Sequence, residues 1–153
     1  MNTTTLTALI VGASLVFAML LTSVILFFIK RVQGKREEEV RKAFKGKRIL
    51  KLCPNAVFVG QASHSAFGAV RGNGVLVLTE DELFFQMWLP KREFRLQVSA
   101  ITNIQTPKSF QSRTVFRPLL QVDYKNESGA PDSIAWAVSE LDSWKTALER
   151  LTQ

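Results

Sequence analysis

The side chains of this chain that could carry out chemistry are few and far apart. His64 is the only histidine and Cys53 the only cysteine, and neither has a neighbour at the spacing of a metal site, a catalytic dyad or a redox pair; we expect Cys53 to be packed and His64 to be exposed. The acidic run Glu80-Asp81-Glu82 could serve acid–base catalysis, but it occupies a tight hairpin turn, where carboxylates are usually solvated. Gly72 and Gly74 lack the lysine of a phosphate-binding loop and the spacing of a dinucleotide fingerprint. We therefore expect no enzymatic activity, no metal and no cofactor.

A pattern with binding chemistry occurs in the segment 105–118 (QTPKSFQSRTVFRP), where cations alternate with aromatic residues. Rings supply contact area and cations supply charge, so an exposed loop here could grip a headgroup, a peptide or nucleic acid. The alternative is a β-strand whose aromatic residues enter the core while the cations point outward. The candidate partner surface consists of Lys108, Phe110, Arg113, Phe116 and Arg117.

The N-terminus carries no charged side chain before residue 30, and residues 6–29 form a continuous run of 24 mostly apolar residues. At about 1.5 Å per residue, a helix of this length reaches about 36 Å, enough to cross a hydrocarbon core of about 30 Å. The cations that follow mark the cytoplasmic side. We therefore expect a single-pass membrane protein with its N-terminus outside and its C-terminal part in the cytoplasm. The alternative, a cleavable signal peptide, requires a basic N-terminal flank and a shorter apolar stretch.

The net charge of +7 comes from residues 30–51, which hold ten Lys or Arg against three Glu, and the rest of the chain is neutral. Because this segment directly follows the apolar run, anionic lipid headgroups are its first neighbours, and nucleic acid is not an expected partner. The segment is either a topology signal with a solvated spacer or a contact with anionic lipid. The candidate lipid-contact residues are Lys30, Arg31, Lys35, Arg36, Arg41, Lys42, Lys45, Lys47 and Arg48.

The same segment has helical spacing. Glu37 with Arg41 and Glu38 with Lys42 are acid-then-base pairs four residues apart, which stabilise a helix by a few tenths of a kcal/mol each. We expect a charged helix that continues to about Phe44 and ends in a turn at 45–47.

From residue 57 the pattern changes to short runs of β-branched and aromatic residues separated by turn residues. The alternation is clearest in 93–98, where Phe94, Leu96 and Val98 share one face. Seven short strands indicate an antiparallel sandwich or barrel. The predicted strands are 57–62, 75–79, 83–89, 93–98, 101–105, 119–125 and 133–138.

One amphipathic helix is predicted to close the chain. Its apolar residues recur at i, i+3, i+7 and i+10, the spacing of a buried stripe, and Ser139 is expected to cap its N-terminus. We expect this helix to cap the strands and to bury its tryptophan. The stripe consists of Leu141, Trp144, Leu148 and Leu151.

Seven strands followed by one amphipathic helix with a buried Trp resemble the pleckstrin-homology (PH) superfold. Residues 74–85 (GVLVLTEDELFF) look like the G-x-L-x-L-T…L-x-F second hairpin of GRAM domains and bacterial PH-like domains, and residues 96–104 (LQVSAITNI) look like the strand that follows it. The resemblance covers about residues 50–152. The expected architecture is an N-terminal transmembrane helix (1–31), a basic juxtamembrane segment (32–51) and a mainly-β PH-like domain (52–153), a seven-stranded antiparallel sandwich or barrel capped by one C-terminal helix.

The best-known activity of this superfold is phosphoinositide binding by cations around the first hairpin loop. Residues 63–71 offer only one Arg and one His, whereas a multiply charged phosphate needs several converging donors. We therefore interpret the domain as a membrane-anchored protein-interaction module, an accessory or scaffold subunit of a membrane assembly. The alternative is a domain that binds or senses anionic lipid through the juxtamembrane cations.

Overall fold

The computed structural model describes residues 3–63 and 70–153, so the prediction for His64 lies outside the described residues. The chain divides into two compact units, Met1–Lys35 and Arg36–Gln153, and each is described by itself. The elements are α1 (Thr3–Ala43), β1 (Ile49–Gln61), β2 (Gly72–Thr79), β3 (Glu82–Met87), β4 (Arg92–Gln97), a short 3-10 turn (Val98–Ala100), β5 (Ile101–Gln105), β6 (Leu120–Lys125), β7 (Pro131–Ala137) and α2 (Leu141–Thr152).

The first unit carries the apolar part of α1. Its segment Ile10–Phe28 has a mean hydropathy of 2.5 and none of it is buried, so it is long and apolar enough to cross a membrane. A signal sequence has the same properties, so length and composition alone do not separate it from an anchor. Three hydroxyls in this segment donate to backbone carbonyls four residues earlier: Ser14 to Ile10, Thr22 to Ala18 at 2.8 Å and Ser23 to Met19 at 2.9 Å. Their hydrogen bonds therefore need no water.

The second unit is built on one seven-stranded antiparallel sheet with the order β4-β3-β2-β1-β7-β6-β5. The central strand β1 pairs with both β2 and β7. Its register shifts three times, between Ile49 and Lys51, between Cys53 and Ala56, and between Phe58 and Gly60. Such bulges bend a strand and increase its twist. The two halves of the sheet can therefore enclose a common core.

That core contains side chains from both halves and from α2. The rings of Phe85 on β3 and Trp136 on β7 lie 5.9 Å apart, and α2 contributes Trp144, which is 2% exposed, and Leu148, which is fully buried. The predicted fold class is confirmed: a seven-stranded antiparallel sheet capped by one C-terminal helix behind an apolar N-terminal helix. The predicted cap is wrong by one residue, because Glu140 in the left-handed conformation (φ 55°) occupies the N-cap position without a side-chain hydrogen bond.

The strands lie where the sequence predicted them, with one large difference. β1 begins at Ile49, eight residues before the predicted start, and contains Pro54. One register shift of β1 lies at this proline, between Cys53 and Ala56, and a bulge is where a strand tolerates a residue without an N–H group. Cys53 is buried, as predicted. It lies within β1 rather than at the entrance to the strand.

The outer faces of the sheet are covered by two segments that are not strands. Val40 and Phe44 at the end of α1 pack on Val75, Val77 and Phe84 of β2 and β3, and we call this pair the helix cover. Phe110 and Val115, from the connection between β5 and β6, pack on the outer face of β1 and β7, and we call this pair the loop cover. The helix cover thus belongs to the second unit, Arg36–Gln153, and the domain boundary at residue 52 stays a prediction.

Candidate functional site

The cations at the end of α1 are mostly paired with carboxylates. Arg41 contacts Glu37 at 2.8 Å and Lys42 contacts Glu38 at 2.7 Å, which confirms both predicted pairs. Lys30, Arg31 and Lys35 are exposed, whereas the side chain of Arg36 lies outside the described part of the chain.

Beyond the helix, two cations of the turn reach the acidic turn between β2 and β3. Lys47 contacts Glu82 at 2.7 Å and Arg48 contacts Glu80 at 3.3 Å. Within the described residues, Lys45 is exposed and forms no ion pair. Four of the five cations from Arg41 to Arg48 are thus neutralised locally, which leaves little unpaired charge here for a lipid surface.

Glu82 is the most enclosed of these carboxylates, with its side chain 6% exposed. One carboxylate oxygen accepts a hydrogen bond from Lys47 Nζ at 2.7 Å and the other from Arg95 Nη1 at 3.0 Å. Burial raises the pKa of Glu82, but the hydrogen bonds and charges of Lys47 and Arg95 outweigh it and hold the pKa below its ordinary value of 4.5. The expected solvation of this turn is therefore wrong for Glu82, because two cations from distant segments converge on it.

Arg95 also joins this ion pair to the helix cover. Its guanidinium carbon lies 4.4 Å from the ring centroid of Phe84 and 5.9 Å from that of Phe44. Such stacking over rings is a favourable cation–π arrangement. The Glu82 cluster, formed by Lys47, Glu82 and Arg95, therefore borders the helix cover and serves the fold.

The segment 105–118 matches neither of its two predicted alternatives. It is an irregular connection with one isolated bridge between Phe110 and Arg113. Phe110 is 6% exposed, and Arg113 donates to the backbone carbonyl of Val59 at 3.2 Å. Packing is close here, since a Cβ atom on Gly60 would lie 3.3 Å from the Phe110 ring. Phe110 and Arg113 are therefore part of the fold rather than of a partner surface.

The end of the same connection is exposed. Phe116 is 97% exposed and has a positive φ of 60°, and Lys108 and Arg117 are exposed as well. These three residues of the predicted partner surface remain available for contacts.

An open cleft that the sequence did not predict lies along the edge strand β4. Its volume is about 830 Å³, and it lies between β4 and the turn that joins β6 to β7. Charges of both signs line it, with Glu93 and Arg95 on β4 and Lys125 and Glu127 on the opposite side. The cleft combines strands far apart in the sequence, so no local motif could reveal it.

Tyr124 and Gln61, two lining residues of the cleft, belong to a buried polar cluster around Asp132. Oδ2 of Asp132 accepts hydrogen bonds from Gln61 at 2.8 Å, from Tyr124 at 2.8 Å and from the Ser63 hydroxyl at 2.6 Å. Burial raises the pKa of Asp132, but these donors outweigh it and hold the pKa below its ordinary value. Burial and the adjacent carboxylate raise the pKa of Tyr124 far above its ordinary value. The cluster fixes the ends of β1, β6 and β7 with a charged Asp132 and a neutral Tyr124.

Within residues 3–63 and 70–153 there is no group of three or more His, Cys, Asp or Glu side chains arranged to hold a metal ion. Cys53 is buried, and its sulfur lies 3.5 Å from the Ser139 hydroxyl. Ser139 thus contacts β1 rather than the helix it was expected to cap.

No protein-family profile and no curated protein matches the chain. Among solved structures, it is similar to the C-terminal domain of an unknown protein from Leishmania infantum, with 23% identity and a TM-score of 0.53 over 76% of this chain and 96% of that one. It is also similar to a chain of the 8S snRNP assembly intermediate, with 10% identity and a TM-score of 0.52 over 68% and 81% of the two chains. A complex of the PDZ-RhoGEF DH/PH domains with activated RhoA aligns with 11% identity and a TM-score of 0.48, over 74% and 33%.

The first two similarities show a shared fold alone. The strand order and the C-terminal helix are those of the PH superfold that the sequence resembles. The second unit therefore has a PH-like fold.

Proposed function

We propose that this protein is a single-pass membrane protein whose PH-like domain binds an extended segment of a partner protein along β4. The domain is then a non-enzymatic interaction module, an accessory or scaffold subunit of a membrane assembly. We further propose that the domain belongs to the GRAM-like branch and is related to bacterial PH-like domains; the resemblance of residues 74–85 to their second hairpin supports this.

The observation that carries this proposal is the position of β4. It lies at one end of the sheet order, so the backbone groups on its outer side have no strand partner among the described strands. An edge strand of this kind can add an extended peptide through main-chain hydrogen bonds. The cleft of about 830 Å³ beside it provides room for the side chains of that peptide.

The charges of the cleft favour a polypeptide over a phosphate ligand. Glu93 and Glu127 would repel a polyphosphate, whereas Arg95 and Lys125 balance them. Because Arg95 is already paired with Glu82, a protein segment that carries both signs of charge has Glu93, Lys125 and Glu127 to contact. The aromatic floor at Phe94 and Tyr124, whose ring centroids lie 5.8 Å apart, adds apolar area of the kind that anchors interfaces.

The membrane part of the proposal rests on α1. Its segment Ile10–Phe28 is followed by the exposed cations Lys30, Arg31 and Lys35, which by the positive-inside rule lie on the cytoplasmic side. Protease added to the outside of sealed, correctly oriented vesicles should leave residues 36–153 intact. Digestion of this part, or a mature chain that begins after residue 25, would contradict the orientation and the anchor.

Photo-crosslinking in the native membrane tests the β4 site. The full chain with p-benzoylphenylalanine at Gln97 or at Ser128, which line the cleft, should yield one discrete adduct. The same probe at Thr146 on α2 should not. A synthetic peptide of the crosslinked segment should then protect the backbone amides of residues 92–97 from hydrogen exchange. Equal yields of the same adduct from all three probe positions would contradict the proposal. So would a peptide that leaves those amides unprotected.

A further inference from the structure

Only two large apolar side chains of the described residues 36–63 and 70–153 are strongly exposed. Leu89, in the turn between β3 and β4, is 85% exposed, and Phe116, in the connection between β5 and β6, is 97% exposed. Single exposed apolar residues are common on proteins. The question is whether these two share a surface.

Hydrogen bonds place both residues at the same end of the sheet. The backbone N–H of Trp88, next to Leu89, donates to the carbonyl of Asn73 at 2.9 Å. Two residues earlier, Arg71 donates to the carbonyl of Thr114 at 3.4 Å. The backbone N–H of Phe116 in turn donates to the hydroxyl of Thr114 at 3.1 Å. The start of β2 therefore links the two turns.

Four cations lie in the segments that carry or adjoin the two apolar side chains. Arg71, Arg92, Lys108 and Arg117 are exposed, and within the described residues none of them forms an ion pair with a carboxylate. This differs from the cations of the helix end, which are matched by Glu37, Glu38, Glu80 and Glu82. We call this set the loop-end surface: Arg71, Leu89, Arg92, Lys108, Phe116 and Arg117.

Only a short stretch of chain separates the apolar segment from the folded unit that carries the loop-end surface. Glu39 on α1 contacts Lys91, in the same turn as Leu89, at 3.9 Å, so the folded unit begins beside this end. Phe28, the last residue of the apolar segment Ile10–Phe28, precedes residue 36 by eight positions. Even fully extended, eight residues span at most about 28 Å.

We propose that the loop-end surface docks on the anionic phospholipid bilayer that holds the chain's own apolar helix. Leu89 and Phe116 enter the headgroup region while the four unpaired cations lie over anionic headgroups, the arrangement by which apolar and cationic side chains bind a membrane surface together. This contact differs from a phosphoinositide pocket, because it needs a charged surface and no converging donors. It rests on other residues than the β4 site, so either proposal can fail alone.

Hydrogen exchange of the full chain in nanodiscs tests the docking. In discs that contain phosphatidylserine, residues 88–92 and 113–117 should exchange more slowly than in discs of phosphatidylcholine alone. The difference should disappear at an ionic strength of about 1 M, where the Debye length falls to about 3 Å. Equal exchange in both kinds of disc at low salt overturns the proposal and leaves this surface to a protein partner.

Two paired variants separate charge from apolar contact. Lys108→Gln with Arg117→Gln removes two cations and should reduce the protection from hydrogen exchange. Each cation contributes up to about a fivefold change in the docking equilibrium. Lys145→Gln with Arg150→Gln removes two cations from α2 and should leave the protection unchanged. An equal loss of protection in the two charge variants would show that only the net charge matters. It would overturn the proposal that the loop-end surface docks on the bilayer.

Leu89→Ser with Phe116→Ser should abolish the protection in phosphatidylserine discs while tryptophan fluorescence and thermal unfolding stay unchanged, because both side chains are exposed. Protection that survives this double substitution would show that the two side chains do not enter the membrane, which would also overturn the proposal.

Discussion

The helix cover and the loop cover each shield an outer face of the sheet from solvent, but the residues around them differ. Each places one aromatic side chain, Phe44 or Phe110, on an outer face of the sheet. The helix cover is bordered by cations that are held by carboxylates, above all in the Glu82 cluster. The loop cover is followed by the exposed Phe116 and Arg117. The comparison teaches that a cationic segment in a sequence can be part of the fold, and that the pairing of its charges decides whether it can also bind.

The largest expected effect comes from removing the aromatic side chain of the helix cover. Phe44→Ala should lower the free energy of unfolding by about 3–5 kcal/mol, because Phe44 is 3% exposed and packs on Phe84. Urea unfolding of the full chain in detergent, followed by tryptophan fluorescence, measures it, since all three tryptophans lie in the folded unit. The control Lys45→Ala should change it by less than about 0.5 kcal/mol. An unchanged midpoint for Phe44→Ala would show that the helix end is a solvated spacer.

The loop cover should give a slightly smaller effect. Phe110→Ala should lower the free energy of unfolding by about 3 kcal/mol, the lower end of the range for a buried phenylalanine, because its apolar cluster includes two alanines, Ala135 and Ala137. Phe116→Ala, six residues later, should cost less than about 0.5 kcal/mol. The same unfolding assay compares the two. Equal costs would contradict the division of this connection into a buried and an exposed part.

Glu82→Gln tests the charge pairing beside the helix cover. Lys47 and Arg95 are about half exposed and can be solvated, so we expect a loss of about 1–2 kcal/mol rather than the full cost of breaking a buried pair. Glu80→Gln, at an exposed pair, is the control and should cost less than about 0.5 kcal/mol.

The pH dependence of stability is a second test of the pairing of Glu82 with Lys47 and Arg95. Because the pKa of Glu82 is lower in the folded chain than its ordinary value of 4.5, its contribution is complete above pH 4.5 and is lost as the pH falls through the folded pKa. Unfolding curves of the parent chain should therefore show stability falling below pH 4.5. Glu82→Gln should show a shallower fall, and the slope that remains belongs in part to Asp132, whose pKa is also lowered. An unchanged slope would mean that Glu82 is not paired.

The smallest effect is expected for the exposed pairs of α1. Arg41→Gln with Lys42→Gln should lower the free energy of unfolding only slightly, because Arg41 and Lys42 are 58% and 73% exposed and solvent screens their ion pairs. Lys45→Gln should cost nothing measurable. Thermal unfolding at low and high salt checks this, because only the double variant should reduce the salt dependence of the parent chain. A loss as large as that of Phe44→Ala would show that charge, rather than the aromatic contact, holds the helix end.

Much of the fold could be predicted because it depends on local patterns. The alternation in β4 and the stripe on α2 each follow from neighbouring residues, and the structure buries Trp144 and Leu148 as expected. A local pattern in β2 also indicates the helix cover. Residues 75–78 of β2 are all apolar and all buried, and a strand without alternation indicates that both of its faces are covered.

The site was less predictable because it depends on contacts between distant residues. Glu82 is 35 residues from Lys47 along the chain, and no spacing rule links them. The β4 cleft likewise requires the three-dimensional sheet order. The composition of residues 105–118 indicated a binding segment, but only the fold distinguishes the buried Phe110 from the exposed Phe116.

The point at which the chain enters the sheet has a mechanical consequence. Only residues 44–48 separate the end of α1 from β1, and β1 is the middle strand, hydrogen-bonded on both sides. Tension applied from the N-terminal side therefore acts on the strand whose removal would break both halves of the sheet. Before that, it has to lift Val40 and Phe44 from the outer face. The buried contacts of Val40 and Phe44 therefore lie between the N-terminal segment and the central strand along the path of such a force.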